Sequence, residues 1–346
     1  AALARYYLWN EAYRKAERDL SIPYAGPYDN FVHHTLMGMS ANTLDRKYDE
    51  RNGGYRLYSY LLRTPASGAK APAARSGVNH GITKPAPTPD YGIGSYTLVS
   101  FTDHDGRLTG GIGLCPTSIL PGSPLERAGF RRGDIIAEVD GKTPTESTYA
   151  AIFTSLLSPA DGAEVELTRN EADARPVRVA AERLDPTPII RAEVLDGTQV
   201  GYIVYESFDA AYDDDLLDAV KRLREEGITD LVLDLRNNGG GHVISSNMLS
   251  SCIGGAACRD KVFQFYRYNE ECMASWEQTA ELFGQKYDPA AERFYEKFYD
   301  GDYYGVDLTD RTLGLGRLFV LATGSTASAS EALVNGLRGI GFEVTL

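Results

Sequence analysis

Two stretches built to one pattern constrain this chain more than anything else in it. LVLDLRNNGGGH (231–242) and RLFVLATGSTASASEALVNGL (317–337) each run an apolar strand into a loop of small residues, and a helix follows. An apolar run of this length, bounded by turn residues, suits a strand buried in a parallel sheet. In such sheets ligands bind at the carboxyl ends of the strands, so side-by-side placement of these two would bring their loops together there. The surrounding pattern agrees. QVGYIVYESF reads as a strand, DDDLLDAVKRLREEG as a helix, TDLVLDL as a strand and HVISSNMLSSCI as a helix. In the first helix acids lead, Lys221, Arg222 and Arg224 come late, and Gly227 closes it, as the helix dipole and the C-terminal glycine preference require. Alternating strands and helices predict a mainly parallel α/β domain from residue 183 onward.

The loop residues suggest chemistry. Glycine triplets let N–H groups converge on an anion, and acyl transfer needs two such donors for its oxyanion. Ser328 stands where a helix begins, with unpaired amides behind it. The amide of Ala329 is then one donor and that of Gly240 a second. Small flanking residues leave room for a peptide backbone. Each loop also has a plainer reading. Ser328-Ala329-Ser330-Glu331 fits a capping box, in which the serine only caps the helix, and Arg236–Gly241 fits a tight turn.

Upstream the pattern changes twice. Residues 5–64 carry apolar positions at three-to-four spacing and read as helical. Residues 65–90 are rich in Pro, Ala, Gly and Ser, cannot build a core, and read as a linker. Residues 91–182 read as short strands broken by DHDG, LPGSP, RRGD, DGK and PADG, with helices at PLERAG and STYAAIFTSLL. An aromatic-rich insertion, 261–305, interrupts the α/β domain; its rings either line a groove or pack on the core. Asp213, Asp214 and Asp215 read as N-terminal helix charges.

With both loops and the preceding β segment in hand, the sequence resembles the carboxyl-terminal processing (tail-specific) serine peptidases. LVLDLRNNGGG and TASASE are similar to that family's signatures, and LPGSPLERAGFRRGDIIAEVDGK resembles a PDZ domain's most recognisable segment. The resemblance covers roughly residues 91–346. It implies a multidomain α/β architecture: a helical N-terminal domain (1–64), a linker (65–90), a PDZ-like β domain (91–182) and a crotonase/ClpP-like catalytic core (183–346). It implies Ser328 as nucleophile and the amides of Gly240 and Ala329 as oxyanion donors. Tyr91, Gly92, Ile93 and Gly94 resemble the PDZ carboxylate-binding loop, in which amides hold a peptide C-terminus and the peptide adds to the sheet edge. Gly110–Gly113 competes for that role, its plainer reading being a Gly-rich strand.

The general base is the main departure. The resemblance implies a Ser/Lys dyad with the lysine after the serine, and no lysine follows Ser328 before Leu346. Either the chain continues past Leu346 or the protein is inactive. A histidine base from the helical region is a lesser option: His33 and His34 lie there, while Lys47 occupies the place of the relatives' histidine. The opening AALARYYLWN has neither Met nor a signal-peptide pattern and reads as a trimmed product, and GFEVTL reads as a strand cut short.

Net charge −13 disfavours nucleic acid and anionic membranes as partners, since both need a basic footprint. No apolar run reaches the roughly 18 residues of a spanning helix. Of Cys115, Cys252, Cys258 and Cys272, a Cys252–Cys258 bridge is conceivable and free thiols are the plainer reading. A zinc site with His242 lacks a CxxC pair, and no metal or cofactor is expected. Partners are protein or peptide substrates, in the periplasm, cell envelope or outside the cell; oligomeric state is not encoded in these motifs. The rival functions are a peptide-binding scaffold without catalysis and a crotonase-like acyl-thioester enzyme.

Overall fold

The computed structural model describes residues 46–49, 54–57 and 84–346, apart from 267, 269 and 284. Of the segment read as helical, the described part is two strands. β1 (Arg46–Asp49) pairs antiparallel with β2 (Gly54–Leu57), with Arg46 opposite Leu57 and Asp49 opposite Gly54. The helical reading fails at these residues, which pair across two strands, and glycine such as Gly54 is a poor helix former. The rest of that reading, with His33, His34 and most of the linker, lies outside the described residues. Residues 80–264 and 297–346 form one compact unit, and residues 265–296 belong to a second.

In the larger unit the linker reading ends early. β3 (Thr88–Asp90) pairs with β9 (Glu182–Leu184) and so closes the β domain at its own entrance and exit. Between them lies a sheet in the order β4 (Ile93–Thr102), β5 (Leu108–Ile119), β6 (Ile136–Val139), β7 (Glu164–Arg169) and β8 (Val177–Ala180). Two helices accompany it, α1 (Pro124–Arg127) and α2 (Tyr149–Leu157). Ser123 caps α1 by accepting the Glu126 N–H, with Pro124 at the first helical position, where its missing N–H costs nothing. Leu114, Leu125, Phe130, Ile136, Leu156 and Leu167 make the core. β4 is an edge strand, paired with β5 on one side only, and it exposes Tyr96 and Leu98.

The α/β domain carries a five-stranded sheet in the order β10 (Ile189–Val194), β11 (Val200–Tyr205), β12 (Asp230–Asp234), β18 (Arg317–Leu321) and β19 (Glu343–Thr345). β10 is antiparallel; every other pair is parallel, as the strand–helix alternation predicts. α3 (Asp213–Glu225) buries Leu216, Val220 and Leu223 at helical spacing. Its first acid is not a solvated charge: Asp213 is 4 % exposed. Its Oδ2 accepts the Ser245 hydroxyl at 3.0 Å and that of Tyr303, and burial pushes its carboxyl above the usual range. Asp214 and Asp215 do face outward, Asp215 pairing with Lys84. α4 (Val243–Gly254) is Ser-rich yet buried from Ser245 to Gly254. Its hydroxyls are satisfied internally: Ser250 and Ser251 donate to carbonyls four residues back, and Ser246 donates to Ala329 O at 2.7 Å.

β13 (Val262–Tyr266) opens the insertion, followed by α5 (Glu270–Ala274) and α6 (Trp276–Phe283). A hairpin of β14 (Lys286–Asp288) and β15 (Arg293–Lys297) comes next, then a small one of β16 (Asp302–Tyr303) and β17 (Val306–Asp307). Within the smaller unit Trp276 stacks on Tyr287 at 4.6 Å, and Phe294 packs against Tyr268 and Tyr287. Phe298 and Tyr303 join the core of the α/β domain. Cys115, Cys252 and Cys258 carry free thiols, and burial pushes those of Cys252 and Cys258 up to about 12. Among the described residues, no helix is long and apolar enough to cross a membrane.

Candidate active site

β12 and β18 are neighbours, with Val232 opposite Phe319 and Asp234 opposite Leu321, so their loops leave the same sheet edge together. The loops are then stitched to each other. Leu235 N–H donates to Leu321 O (2.9 Å), Thr326 Oγ1 to Leu235 O (2.7 Å) and Thr323 Oγ1 to Arg236 O (2.5 Å). The hub is Asn238, which is fully buried. Its Nδ2 donates to Tyr205 O at 2.9 Å and its Oδ1 accepts the Gly240 N–H at 2.8 Å. Its carbonyl accepts from Ala327 N and from the hydroxyl of buried Ser330. Sequence reading noted Asn238 only as part of a loop. The signal was there: an Asn two residues before a glycine can close a turn through its own side chain.

At the top of this frame sits Ser328, exposed, at the N-terminus of α7 (Ala329–Gly339). Its backbone has φ 56° and ψ −115°, a region that non-glycine residues enter at a cost of about 1–3 kcal/mol and that concentrates at functional sites. Ser328 N–H donates to Glu331 Oε2 at 2.8 Å, which is one half of the capping box. The other half is present only in outline: the hydroxyl faces the Glu331 amide without a hydrogen bond of full geometry. The serine is therefore held chiefly by its backbone, with Oγ at the capping position. Ala329 is fully buried behind it.

Gly240 and Gly241 are required by the packing. Gly240 has φ 112°, and a Cβ placed on it would lie 2.6 Å from Ser328 Cβ and 3.0 Å from Ala329 N. Gly241 has φ 131°, and its Cβ would lie 2.2 Å from Phe208 O. The structure thus brings Ser328, Ala329 and Gly240 into contact. In this conformation the Gly240 amide is held by Asn238.

The base of the loop carries a charge cluster that sequence reading passed over. Asp234 is buried, and Arg236 and the Tyr202 hydroxyl bond its carboxylate. Burial works against its charge, but Arg236 and Tyr202 prevail and hold the carboxyl below the usual carboxylate range. A depressed acid stabilises the fold above its unfolded pKa of about 3.9, and that contribution is lost as pH falls through the folded value. Denaturant titrations below about pH 4 are expected to show a shallower acid loss in Asp234→Asn than in the parent. Parallel acid limbs would show that this cluster does not govern acid stability.

Tyr91–Gly94 lies apart from Ser328, at the start of the edge strand. Tyr91 and Gly92 are buried, and Tyr91 O and Gly92 O accept from Leu125 N and Leu120 N. Gly92 (φ 102°) donates its N–H to Asp90 Oδ1 at 2.6 Å. Gly110–Gly113 is instead part of β5, where Gly111 and Gly113 accommodate the Phe101 ring. One carboxylate joins the two domains: Glu206 accepts Ser95 Oγ at 2.9 Å and Asn237 Nδ2 at 3.1 Å. Asn237 Nδ2 also reaches Thr117 O at 3.3 Å. No local pattern marks Glu206, whose partners are 111 and 31 residues away. Glu206→Ala is expected to cost about 1–2 kcal/mol of stability by leaving the Asn237 amide one acceptor short. Thermal melts check this, and an unchanged melting temperature would show the bridge to be unimportant.

Residues 199–346 match the family model described as peptidase family S41, and residues 117–168 match one described as a PDZ domain. The chain is 32 % identical over 136 residues to a chloroplastic carboxyl-terminal-processing peptidase of Arabidopsis thaliana, covering 37 % of this chain and 26 % of that protein. It is 32 % identical over 126 residues to a Staphylococcus aureus protein described as a CtpA-like serine protease, covering 36 % and 25 % respectively. It thus spans about a quarter of the length of these curated relatives. In fold it is similar to the crystal structure of a Bacteroides fragilis protein described as an S41 protease. The TM-score is 0.59 at 23 % identity, over 99 % of this chain and 75 % of the other.

Proposed function

We propose, from the match of residues 199–346 to the peptidase family S41 model and of residues 117–168 to a PDZ domain model, that the protein is a serine endopeptidase of the carboxyl-terminal processing type. It acts on unstructured or C-terminal peptide segments. Ser328 Oγ attacks the scissile carbonyl, the amine leaves, and water hydrolyses the acyl-enzyme. The observation that carries this reading is Ser328 itself: an exposed serine at a positive φ, at a helix N-terminus, against a glycine that no side chain could replace. Ala329 N–H, in the helix's first turn, is the first oxyanion donor. Gly240 N–H is the second and donates once it turns from Asn238 Oδ1. The base is the dyad lysine that the family resemblance implies; residues 329–346 contain none.

The PDZ domain, taken as residues 91–182 ahead of a catalytic core at 183–346, captures the substrate. Tyr91–Gly94 receives the terminal carboxylate, and the peptide pairs with the open edge of β4, beside Tyr96 and Leu98. A crotonase-like ancestry for the core and an envelope or secreted location complete the reading. Incubation with an unfolded protein is expected to yield fragments, and an intact substrate overturns the enzymatic reading. An unstructured peptide with a free C-terminus is expected to bind about tenfold tighter than its C-terminal amide. Equal affinities would overturn carboxylate capture while leaving the hydrolysis to stand.

A further inference from the structure

A cavity of about 330 Å³ lies between the β domain and the α/β sheet, and neither the nucleophile nor the edge strand accounts for it. We propose that it is a subsite for acidic side chains of the peptide substrate, an inference that rests on the peptidase reading above.

Three arginines line the cavity, Arg131, Arg132 and Arg191, against the single carboxylate of Glu126. This is a local excess of positive charge in a chain of net charge −13. The guanidinium groups are poorly neutralised by the protein itself. Among the described residues the Arg131 guanidinium donates to the carbonyls of Phe130 (3.0 Å) and Glu126 (3.3 Å), not to a carboxylate. Arg132 makes no ion pair among the described residues. Arg191 meets Glu193 at 3.4 Å, but both side chains are 50 % exposed and water screens such a pair strongly. The nearby carboxylates make other bonds, Glu206 with Asn237 and Asp234 with Tyr202 and Arg236. Glu126 Oε2 accepts the Gly122 N–H at 2.6 Å, and Asp134 is bonded to Arg169 at 3.0 Å and to the Arg131 N–H at 2.8 Å. Guanidinium forks with donors to spare select carboxylates.

The remaining lining points to a peptide rather than a small ion. Phe130, Ile190 and Val204 supply apolar surface beside the charges, which suits an acidic side chain with an apolar neighbour. Tyr202 and Val204 alternate along β11 with core residues Ile203 and Tyr205, so the cavity uses the sheet face turned away from that core. Asn237 borders it directly, and Asn237 belongs to the loop that carries Gly240. An occupant therefore lies beside the loop whose Gly240 contacts Ser328. The size suits one or two side chains, near the lower limit for ligand pockets.

The test uses Ser328→Ala protein and two labelled unstructured peptides, identical except that three Glu in one are Gln in the other, with the same free C-terminus. In fluorescence anisotropy the Glu peptide is expected to bind about tenfold tighter at low salt, with the preference shrinking as salt rises. Adding Arg132→Glu and Arg191→Glu is expected to abolish the preference and leave the Gln peptide's affinity unchanged, circular dichroism confirming the fold. Equal binding of both peptides, binding of neither, or a preference that survives the charge reversal overturns the subsite. So does displacement of the Glu peptide by inorganic phosphate at equal concentration, which would mark a general anion site. These readouts need no turnover. Selective binding without cleavage by the parent protein would overturn the peptidase reading alone, and cleavage without Glu preference the subsite alone.

Discussion

Ser328→Ala is expected to lower hydrolysis of an unfolded protein by at least about a thousandfold while the protein stays folded. Loss of a serine nucleophile removes the covalent route outright, and only the oxyanion donors and substrate binding remain to assist attack by water. Stability is expected to change by less than about 1 kcal/mol, because Oγ makes no full cap hydrogen bond and alanine is as strained as serine at φ 56°. The pairing of these outcomes is what discriminates. A serine whose only task is capping would give the reverse, a destabilised helix and a nearly normal rate. Ser330→Ala is the natural control. Its hydroxyl is buried and donates to Asn238 O at 3.1 Å, so its loss is expected to cost about 1 kcal/mol and to leave the nucleophile in place. An unchanged rate in Ser328→Ala, measured on the full-length protein by fragment release, would remove Ser328 from the chemistry.

Gly240→Ala is expected to cost about 2–4 kcal/mol of stability and at least a hundredfold in kcat/KM. The left-handed φ of 112° already penalises any side chain, and the added methyl would meet Ser328 Cβ at 2.6 Å, Ala327 O at 2.9 Å and Ala329 N at 3.0 Å. Two of those three atoms are backbone at the start of a helix whose first residue is fully buried, so they cannot swing aside. Relief must come from moving the loop, and moving the loop separates Gly240 from Ser328. Its neighbour gives the contrast. A Cβ on Gly239 would find nothing nearer than Ser325 O at 4.0 Å, and Gly239→Ala is expected to change both quantities little. Equal melting temperatures and rates for the two variants would show that the contact between the loops is not what holds the site.

Much of this site was legible before any coordinates. The same strand–loop–helix pattern, twice in one chain, carries the prediction that LVLDL and RLFVL lie in parallel and deliver their loops to one edge, because apolar strands joined through helices have few other ways to bury both faces. Gly227 closing α3 and Ser328 opening α7 were equally readable, since caps are local chemistry. The Tyr91–Gly94 segment and the Gly-rich strand at 110–113 could not be told apart in sequence. In the structure the Phe101 ring lies over Gly111 and Gly113, whereas Tyr91–Gly94 leads into the edge strand. The helical reading failed at 46–49 and 54–57, which pair as strands.

The sequence by itself determined which residues could do chemistry and in which loops they sit, because strand period, cap preference and glycine content act over a few residues. Tertiary structure alone decided the rest. It made Asp213 a buried carboxylate when its sequence reads as a solvated helix acid, and it set Asn238 between Tyr205, Gly240 and Ala327 as the pin of the Gly-rich loop. It joined Glu206 to residues from two domains, and it gathered Arg131, Arg132 and Arg191 around one cavity. The reason is physical. A side chain's burial, its partners and its preferred charge state depend on which distant segments pack against it, and no local period in the chain encodes that.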